Sequence, residues 1–91
     1  MAKVVTYTVD YCPYCMKAKK LLNEKGIEFE DHDITANEVE ERKKLGEMIG
    51  SEGRTTVPQI FINGNHIGGY SDLKELNESG KLDQMLKEPA V

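Results

Sequence analysis

The dipeptide Asn63-Gly64 stands between two short runs, Gln59-Ile60-Phe61-Ile62 and Asn65-His66-Ile67. Asn-Gly tolerates positive φ at both central positions of a type I′ turn, whose twist matches that of paired strands, so this segment predicts a tight antiparallel hairpin. Gly68-Gly69 ends it. The rest of the 91-residue chain must be arranged around this pair.

Residues 3–9 are rich in Val, Thr and Tyr and predict a first strand. Helical periodicity follows and places Cys15, Ala18, Leu21 and Leu22 on one face, with Lys17, Lys20 and Glu24 opposite. Pro13 suits the first helical position and Gly26 the C-terminal stop, so a helix is expected over about 13–25. Residues 27–32 predict a short strand, with Ile27 and Phe29 alternating with charge, and Glu28, Glu30, Asp31 and Asp33 read as a solvated edge. Thr35 and Glu38 have capping-box spacing and open a second helix to about residue 49, with Val39, Leu45, Gly46 and Ile49 as its buried stripe. A third helix starts near Ser71 or Asp72, Gly80 interrupts it, and residues 82–87 add a last turn or two. The order is β-α-β-α-β-β-α. Its first half is a βαβ unit with parallel strands and a right-handed crossover, and its second half adds the antiparallel hairpin. The expected class is α/β, a four-stranded mixed sheet flanked by helices in an architecture of the thioredoxin type.

Residues 1–91 read as a single domain, since a chain this size buries only one core. The balance of 12 Lys and Arg against 16 Asp and Glu gives net −4, which offers no broad attraction to nucleic acid or to an anionic membrane. The first ten residues lack a signal-peptide core, and no run approaches the ~20 apolar residues of a membrane span. A cytoplasmic location and a monomer are expected. Two cysteines in a reducing compartment are not a disulfide framework, so they must be inert, metal-bound or redox-active.

Cys12-Pro13-Tyr14-Cys15 falls where the first strand turns into the first helix. Cys12 is then the N-cap, with its sulfur facing the unpaired N–H groups of Tyr14 and Cys15 and the positive end of the helix dipole. A thiolate accepts hydrogen bonds there that a thiol cannot, and cysteines so placed ionise at roughly 3.5 to 7.5 rather than ~8.5. Lys17, Lys19 and Lys20 add a weak, salt-screened positive field. Cys15 lies one turn on, on the apolar face, close enough for a disulfide yet more buried and less acidic. The asymmetry assigns attack to Cys12 and resolution to Cys15. Zinc is not expected, because His32 and His66 are 34 residues apart and there is no second Cys-x-x-Cys to complete four ligands. Neither histidine is given a catalytic role.

Two further segments could border a ligand groove. Thr56-Val57-Pro58 precedes the third strand, where a proline either simply starts an edge or forms a cis bond that presents the Val57 backbone to an extended peptide. Gly68-Gly69-Tyr70-Ser71-Asp72 combines close backbone approach, a helix N-terminus and a carboxylate, which suits a ligand end bearing both carboxylate and ammonium; equally, Ser71 or Asp72 could merely cap the helix. Arg54 either binds a carboxylate or stands in solvent.

Taken together, Tyr7-Thr8, Cys12-Pro13-Tyr14-Cys15, residues 54–62 (Arg-Thr-Thr-Val-Pro-Gln-Ile-Phe-Ile) and residues 66–73 (His-Ile-Gly-Gly-Tyr-Ser-Asp-Leu) resemble a dithiol glutaredoxin, in register over about residues 4–86. The resemblance implies a thioredoxin fold, a cis Pro58 and glutathione as co-substrate. It implies catalytic Cys12 and Cys15, and a glutathione site drawn from Tyr14, Arg54, Thr56, Val57, Pro58, Gly69, Tyr70, Ser71 and Asp72. Val57 would pair with the cysteinyl backbone of glutathione, and Tyr70, Ser71 and Asp72 would hold its γ-glutamyl end. Many members carry Lys three residues before the first Cys, where it helps bind the glycine carboxylate. This chain has Val9 there, followed by Asp10, which either shifts that task to Arg54 or Lys17 or leaves the glycine end weakly bound. The expected activity is glutathione-dependent reduction of protein disulfides and of protein–glutathione mixed disulfides. Its rivals are an electron donor reduced by thioredoxin reductase, which would need no γ-glutamyl site, and a carrier of a glutathione-ligated iron–sulfur cluster, against which Cys15 competes by forming a disulfide.

Overall fold

The computed structural model describes residues 2–50 and 56–87. In order, the elements are β1 (Val4–Thr8), α1 (Pro13–Glu24), β2 (Glu30–Asp33), a 3₁₀ turn (Thr35–Asn37), α2 (Glu38–Met48), β3 (Gln59–Ile62), β4 (Asn65–Gly68), α3 (Tyr70–Glu78) and α4 (Lys81–Lys87). The sheet order is β2-β1-β3-β4, with β1 parallel to β2 and antiparallel to β3, and β3 antiparallel to β4. This is the mixed four-stranded sheet and the thioredoxin-type fold that the sequence predicts.

One face of the sheet carries the main core. Alternation along β1 and β3 directs Val4, Ile60 and Ile62 to that face, where they meet Ala18 and Leu22 of α1, Leu73 of α3 and Leu82 of α4, all at most 2% exposed. The hairpin closes through Asn63 (φ 52) and Gly64 (φ 80), as a type I′ turn requires. One additional residue, Ile67, is accommodated between the Ile60–Gly68 and Phe61–His66 pairs as a bulge. On the opposite face Val5, Tyr7 and Phe61 join Met48 of α2 in lining a groove. Rings cross all four strands there: His32 stacks on Tyr7 at 4.9 Å, Tyr7 meets Phe61 edge-on at 5.8 Å, and Phe61 lies 5.2 Å from His66. Among the described residues no helix is long and apolar enough to cross a membrane.

Four expectations change in detail. The second strand begins at Glu30, not at residue 27, because Ile27 is still tied to the end of α1 by its N–H to the Leu22 carbonyl (3.0 Å), and Ile27 and Phe29 pack against the main core. Asp31 is no mere solvated edge: its Oδ1 accepts from the hydroxyls of Thr6 (2.8 Å) and Thr8 (2.7 Å), and its Oδ2 pairs with Lys19 Nζ at 3.3 Å. The Thr35–Glu38 capping box does not form. Asp33 Oδ1 instead accepts from the Thr35 N–H (2.9 Å) and hydroxyl (2.5 Å), a 3₁₀ turn follows, and α2 starts at Glu38. Val39 is 86% exposed: it sits in the first turn of α2, about 120° around the helix from Leu45, while Leu45 and Gly46 are the buried residues of that helix.

Asp33 has a consequence for stability against pH. The Thr35 hydroxyl, and then the Thr35 backbone N–H, hold its carboxyl below the ordinary value of 3.8. A depressed folded-state value stabilises the fold above the unfolded value and is lost as pH falls through the folded one. Asp33→Ala is therefore expected to lower the melting temperature at pH 7, with the gap to wild type closing when both are melted below pH ~3.8. A gap that persists unchanged in acid would contradict this role.

Candidate functional site

The site begins with how α1 starts. Cys12 has extended backbone (φ −96, ψ 116), its carbonyl accepts the first helical bond from Met16 N–H at 3.2 Å, and Pro13 follows at the first helical position. Cys12 is the N-cap, as expected. Its sulfur, however, makes no capping bond to α1. In the reduced protein the thiol donates to the Val57 carbonyl across a 3.7 Å gap. The protonated sulfur is a donor, and an acceptor carbonyl is therefore its natural partner, whereas the N–H groups at the helix start call for an anion.

Cys15 occupies different surroundings. It is 0% exposed and packs with Val9 (1%) and Ile34 (6%) in a small second core, against which Tyr7, Cys12 and Val57 also rest. Burial, opposed by a hydrogen bond from the Val9 backbone, raises its thiol from 9.0 to about 12. The hydrogen bond and charge of Cys12 raise it further, and the charge of Lys19 lowers it. A raised folded-state value favours the fold at neutral pH, and that contribution is lost as pH rises from about 9 toward 12.

The bond between Val57 and Pro58 is cis, as the resemblance implied. Pro58 is buried, Val57 is half-buried beside the Cys12 sulfur, and Thr56 is exposed. The Thr56 carbonyl and hydroxyl accept from Gln59 Nε2 at 3.0 and 3.4 Å, which ties the segment to β3. Gly69 closes on it from the other side: a Cβ built there would lie 3.5 Å from the Pro58 carbonyl oxygen. Gly68, at φ 117, has a conformation that favours glycine, and a side chain would collide with the Asp72 carboxylate.

Gly69, not Ser71 or Asp72, is the N-cap of α3, which starts at Tyr70. Asp72 reaches back one turn and accepts from the Gly69 N–H at 3.0 Å, so the carboxylate both caps the helix and stays exposed. Ser71 is exposed beside it. Two aromatic residues flank this region: Tyr14 is 59% exposed, and its ring centroid sits 6.4 Å from that of Tyr70. Lys17 Nζ lies 5.2 Å from the Tyr14 ring centroid. Cys12, Tyr14, Val57, Pro58, Gly69 and Tyr70 are thus brought together, with Ser71 and Asp72 on the adjoining first turn of α3. Thr56 borders them, and Arg54 lies outside the described residues.

Sequence reading passed over two parts of this region. Tyr11 donates to the carboxylate of Glu38, which Arg42 also holds at 3.0 Å, and Asp10 N–H donates to the Thr35 hydroxyl at 2.9 Å. These strap the residues before Cys12 to the start of α2. The Lys19–Asp31–Thr6–Thr8 group is the other. Its signal was present in Thr6 and Thr8, two polar residues at core-facing positions of one strand, which need an acceptor when buried.

The comparisons with known proteins agree with this geometry. A family profile described as Glutaredoxin matches residues 4–67. Glutaredoxin 3 of Escherichia coli K12 is 51% identical over 87 residues, which cover 96% of this chain and all of that protein. The solution structure of glutaredoxin from Brucella melitensis superimposes with a TM-score of 0.80 at 47% identity, covering 96% of this chain and 90% of that one. The buckwheat glutaredoxin–glutathione complex also superimposes at 0.80, with 32% identity over 93% of this chain and 76% of that one.

The difference between the two sulfurs is directly measurable. With Cys12→Ser, the remaining Cys15 is expected to resist iodoacetamide at about pH 8, whereas Cys12 in a Cys15→Ser protein should react at least about tenfold faster. Equal rates, read by mass spectrometry, would remove the asymmetry.

Proposed function

The chain belongs to the glutaredoxin family, and from that membership we propose that it is a glutathione-dependent thiol–disulfide oxidoreductase whose reaction runs through Cys12 and Cys15. The observation that carries this reading is the position of the Cys12 sulfur. It lies at the opening turn of α1 and against the backbone of Val57 next to the cis Pro58.

Once Cys12 loses its proton, the N–H groups at the start of α1 and the helix dipole favour the anion. The thiolate attacks a sulfur of a protein–glutathione mixed disulfide. A bond forms between Cys12 and the glutathione sulfur, the old disulfide breaks, and the protein leaves as a thiolate that takes up a proton. A second glutathione thiolate then attacks the bound glutathione sulfur, releasing glutathione disulfide and returning Cys12 to the thiolate. With a protein disulfide, Cys12 forms a mixed disulfide to the protein and Cys15 resolves it. The Cys12–Cys15 disulfide is afterwards reduced by two glutathiones. Only the second route needs Cys15.

The cleft suits a tripeptide with charged ends. The Val57 backbone would pair with the cysteinyl residue in the manner of an added strand. The N-terminus of α3, with Tyr70 and Ser71, would take the γ-glutamyl carboxylate, and the Asp72 carboxylate its ammonium. Thr56, Pro58 and Gly69 shape the wall, and Tyr14 shields the sulfur. Val9 is 1% exposed and buried in the second core, so the position that is Lys in many members cannot reach a ligand here. Lys17, whose Nζ lies over the Tyr14 ring, would take the glycine carboxylate. A chain of this kind would act as a cytoplasmic monomer on glutathionylated and disulfide-bonded proteins.

The test is a pair of variants assayed with glutathione and glutathione reductase. Cys12→Ser should abolish both reactions. Cys15→Ser should keep deglutathionylation and lose at least about tenfold in dithiol-dependent protein disulfide reduction. Activity surviving in Cys12→Ser would end the proposal.

A further inference from the structure

Resolution by Cys15 presents a physical difficulty. The side chain that must attack is 0% exposed, and an attacking sulfur must first become a thiolate. Part of the difficulty disappears during the reaction itself. Charge on Cys12 opposes ionisation of Cys15, and that charge is gone once Cys12 is in a mixed disulfide. Desolvation remains.

One cation is built into the same face of α1. Lys19 follows Cys15 by four residues, one helical turn, so the two side chains lie on neighbouring positions of one face. Lys19 is not a free surface lysine. Its Nζ is held at 3.3 Å by Asp31 Oδ2, and its side chain is 31% exposed, against 79% for Lys20 beside it. Asp31 is itself fixed from below by the hydroxyls of Thr6 and Thr8, both 0% exposed. Two buried threonines and a strand carboxylate thus hold the Lys19 ammonium, as one half of an ion pair, on the face of α1 that carries Cys15. A surface ion pair alone would contribute little to stability, and this device spends two core-facing positions of β1 on orienting it.

We propose that Lys19, positioned by Asp31, Thr6 and Thr8, assists the resolving step by stabilising the Cys15 thiolate as it forms. This rests on the oxidoreductase reading above. In the step, the Cys15 thiol gives its proton to solvent and its sulfur attacks Cys12 in the Cys12–glutathione disulfide. The Cys12–Cys15 bond forms, the bond to glutathione breaks, and glutathione leaves as a thiolate that is protonated by solvent. One disulfide replaces another, with no net change in oxidation. Lys19 exchanges no proton and forms no bond to sulfur. It is a positioning residue.

The experiment follows closure of the internal disulfide. Reduced full-length protein is mixed with glutathione disulfide, quenched in acid at intervals, and the glutathionylated and internally bridged forms are resolved by mass. Lys19→Met should slow conversion of the first into the second by about three- to tenfold, since a thiolate loses occupancy faster than it gains nucleophilicity. Lys19→Arg, which keeps the cation, should restore most of the rate, and Lys20→Met should not change it. In a Cys15→Ser background, Lys19→Met should slow removal of glutathione from Cys12 by free glutathione much less than it slows closure, since its field at Cys12 is weak and screened by salt. Closure at the wild-type rate in Lys19→Met, with Cys12 still accepting glutathione, would overturn this inference alone. So would Lys19→Arg closing as slowly as Lys19→Met, which would mark a packing effect. Failure of Cys12 to accept glutathione in any of these proteins would sink the proposed function and this inference with it.

Discussion

Everything at the site depends on the packing of Cys15 against Val9 and Ile34. These three side chains come from the first turn of α1 and from the residues that directly follow β1 and β2. Their contact sets where α1 begins relative to the sheet. It puts Cys15 in the interior and, three residues earlier, leaves Cys12 half-exposed against Val57. Loss of that packing would let the helix start drift, and the two sulfurs would lose both their separation in environment and their common reach.

Around this anchor the molecule divides its work between elements. The core under α1, α3 and α4 is apolar and makes no demand on chemistry. The segment 56–58 and the first turn of α3 bring backbone to the cleft, held by Gln59 on one side and by Asp72 on the other. Glycine is needed at residue 68 because the chain turns there with positive φ against the Asp72 carboxylate. The ligand-facing surface is therefore mostly backbone and aromatic ring, which suits a small peptide recognised by its main chain and its charged ends.

Much of this was legible from residue order. Asn63-Gly64 specified the hairpin, Pro13 and Gly26 bracketed α1, and Cys12 and Cys15 fell on opposite sides of the line between solvent and core, because each rests on local backbone chemistry or strong periodicity. What was misread depended on competition between partners. Thr35 and Glu38 had capping-box spacing, but Asp33 was nearer to Thr35 and took its N–H and hydroxyl. Glu38 was then free to accept from Tyr11. Val39 lay at the margin of the helical stripe, about 120° around α2 from Leu45, and in the first turn it stays in solvent. Asp31 looked like edge charge because nothing local announces that two threonines 25 and 23 residues away point at it. The capping bond expected for the Cys12 sulfur requires the anion, and the thiol found a carbonyl instead.

The central claim is that the reactive sulfur and the groove between Val57 and Tyr70 form one binding site. Amide NMR spectra of Cys15→Ser protein, recorded reduced and with glutathione disulfide-linked to Cys12, test it most directly. Shifts concentrated at Val57, Gly69, Tyr70, Ser71 and Asp72, in addition to those beside Cys12, are the expected result. Shifts confined to the immediate neighbours of Cys12, or found instead on the face lined by Val5, Tyr7 and Phe61, would contradict the account.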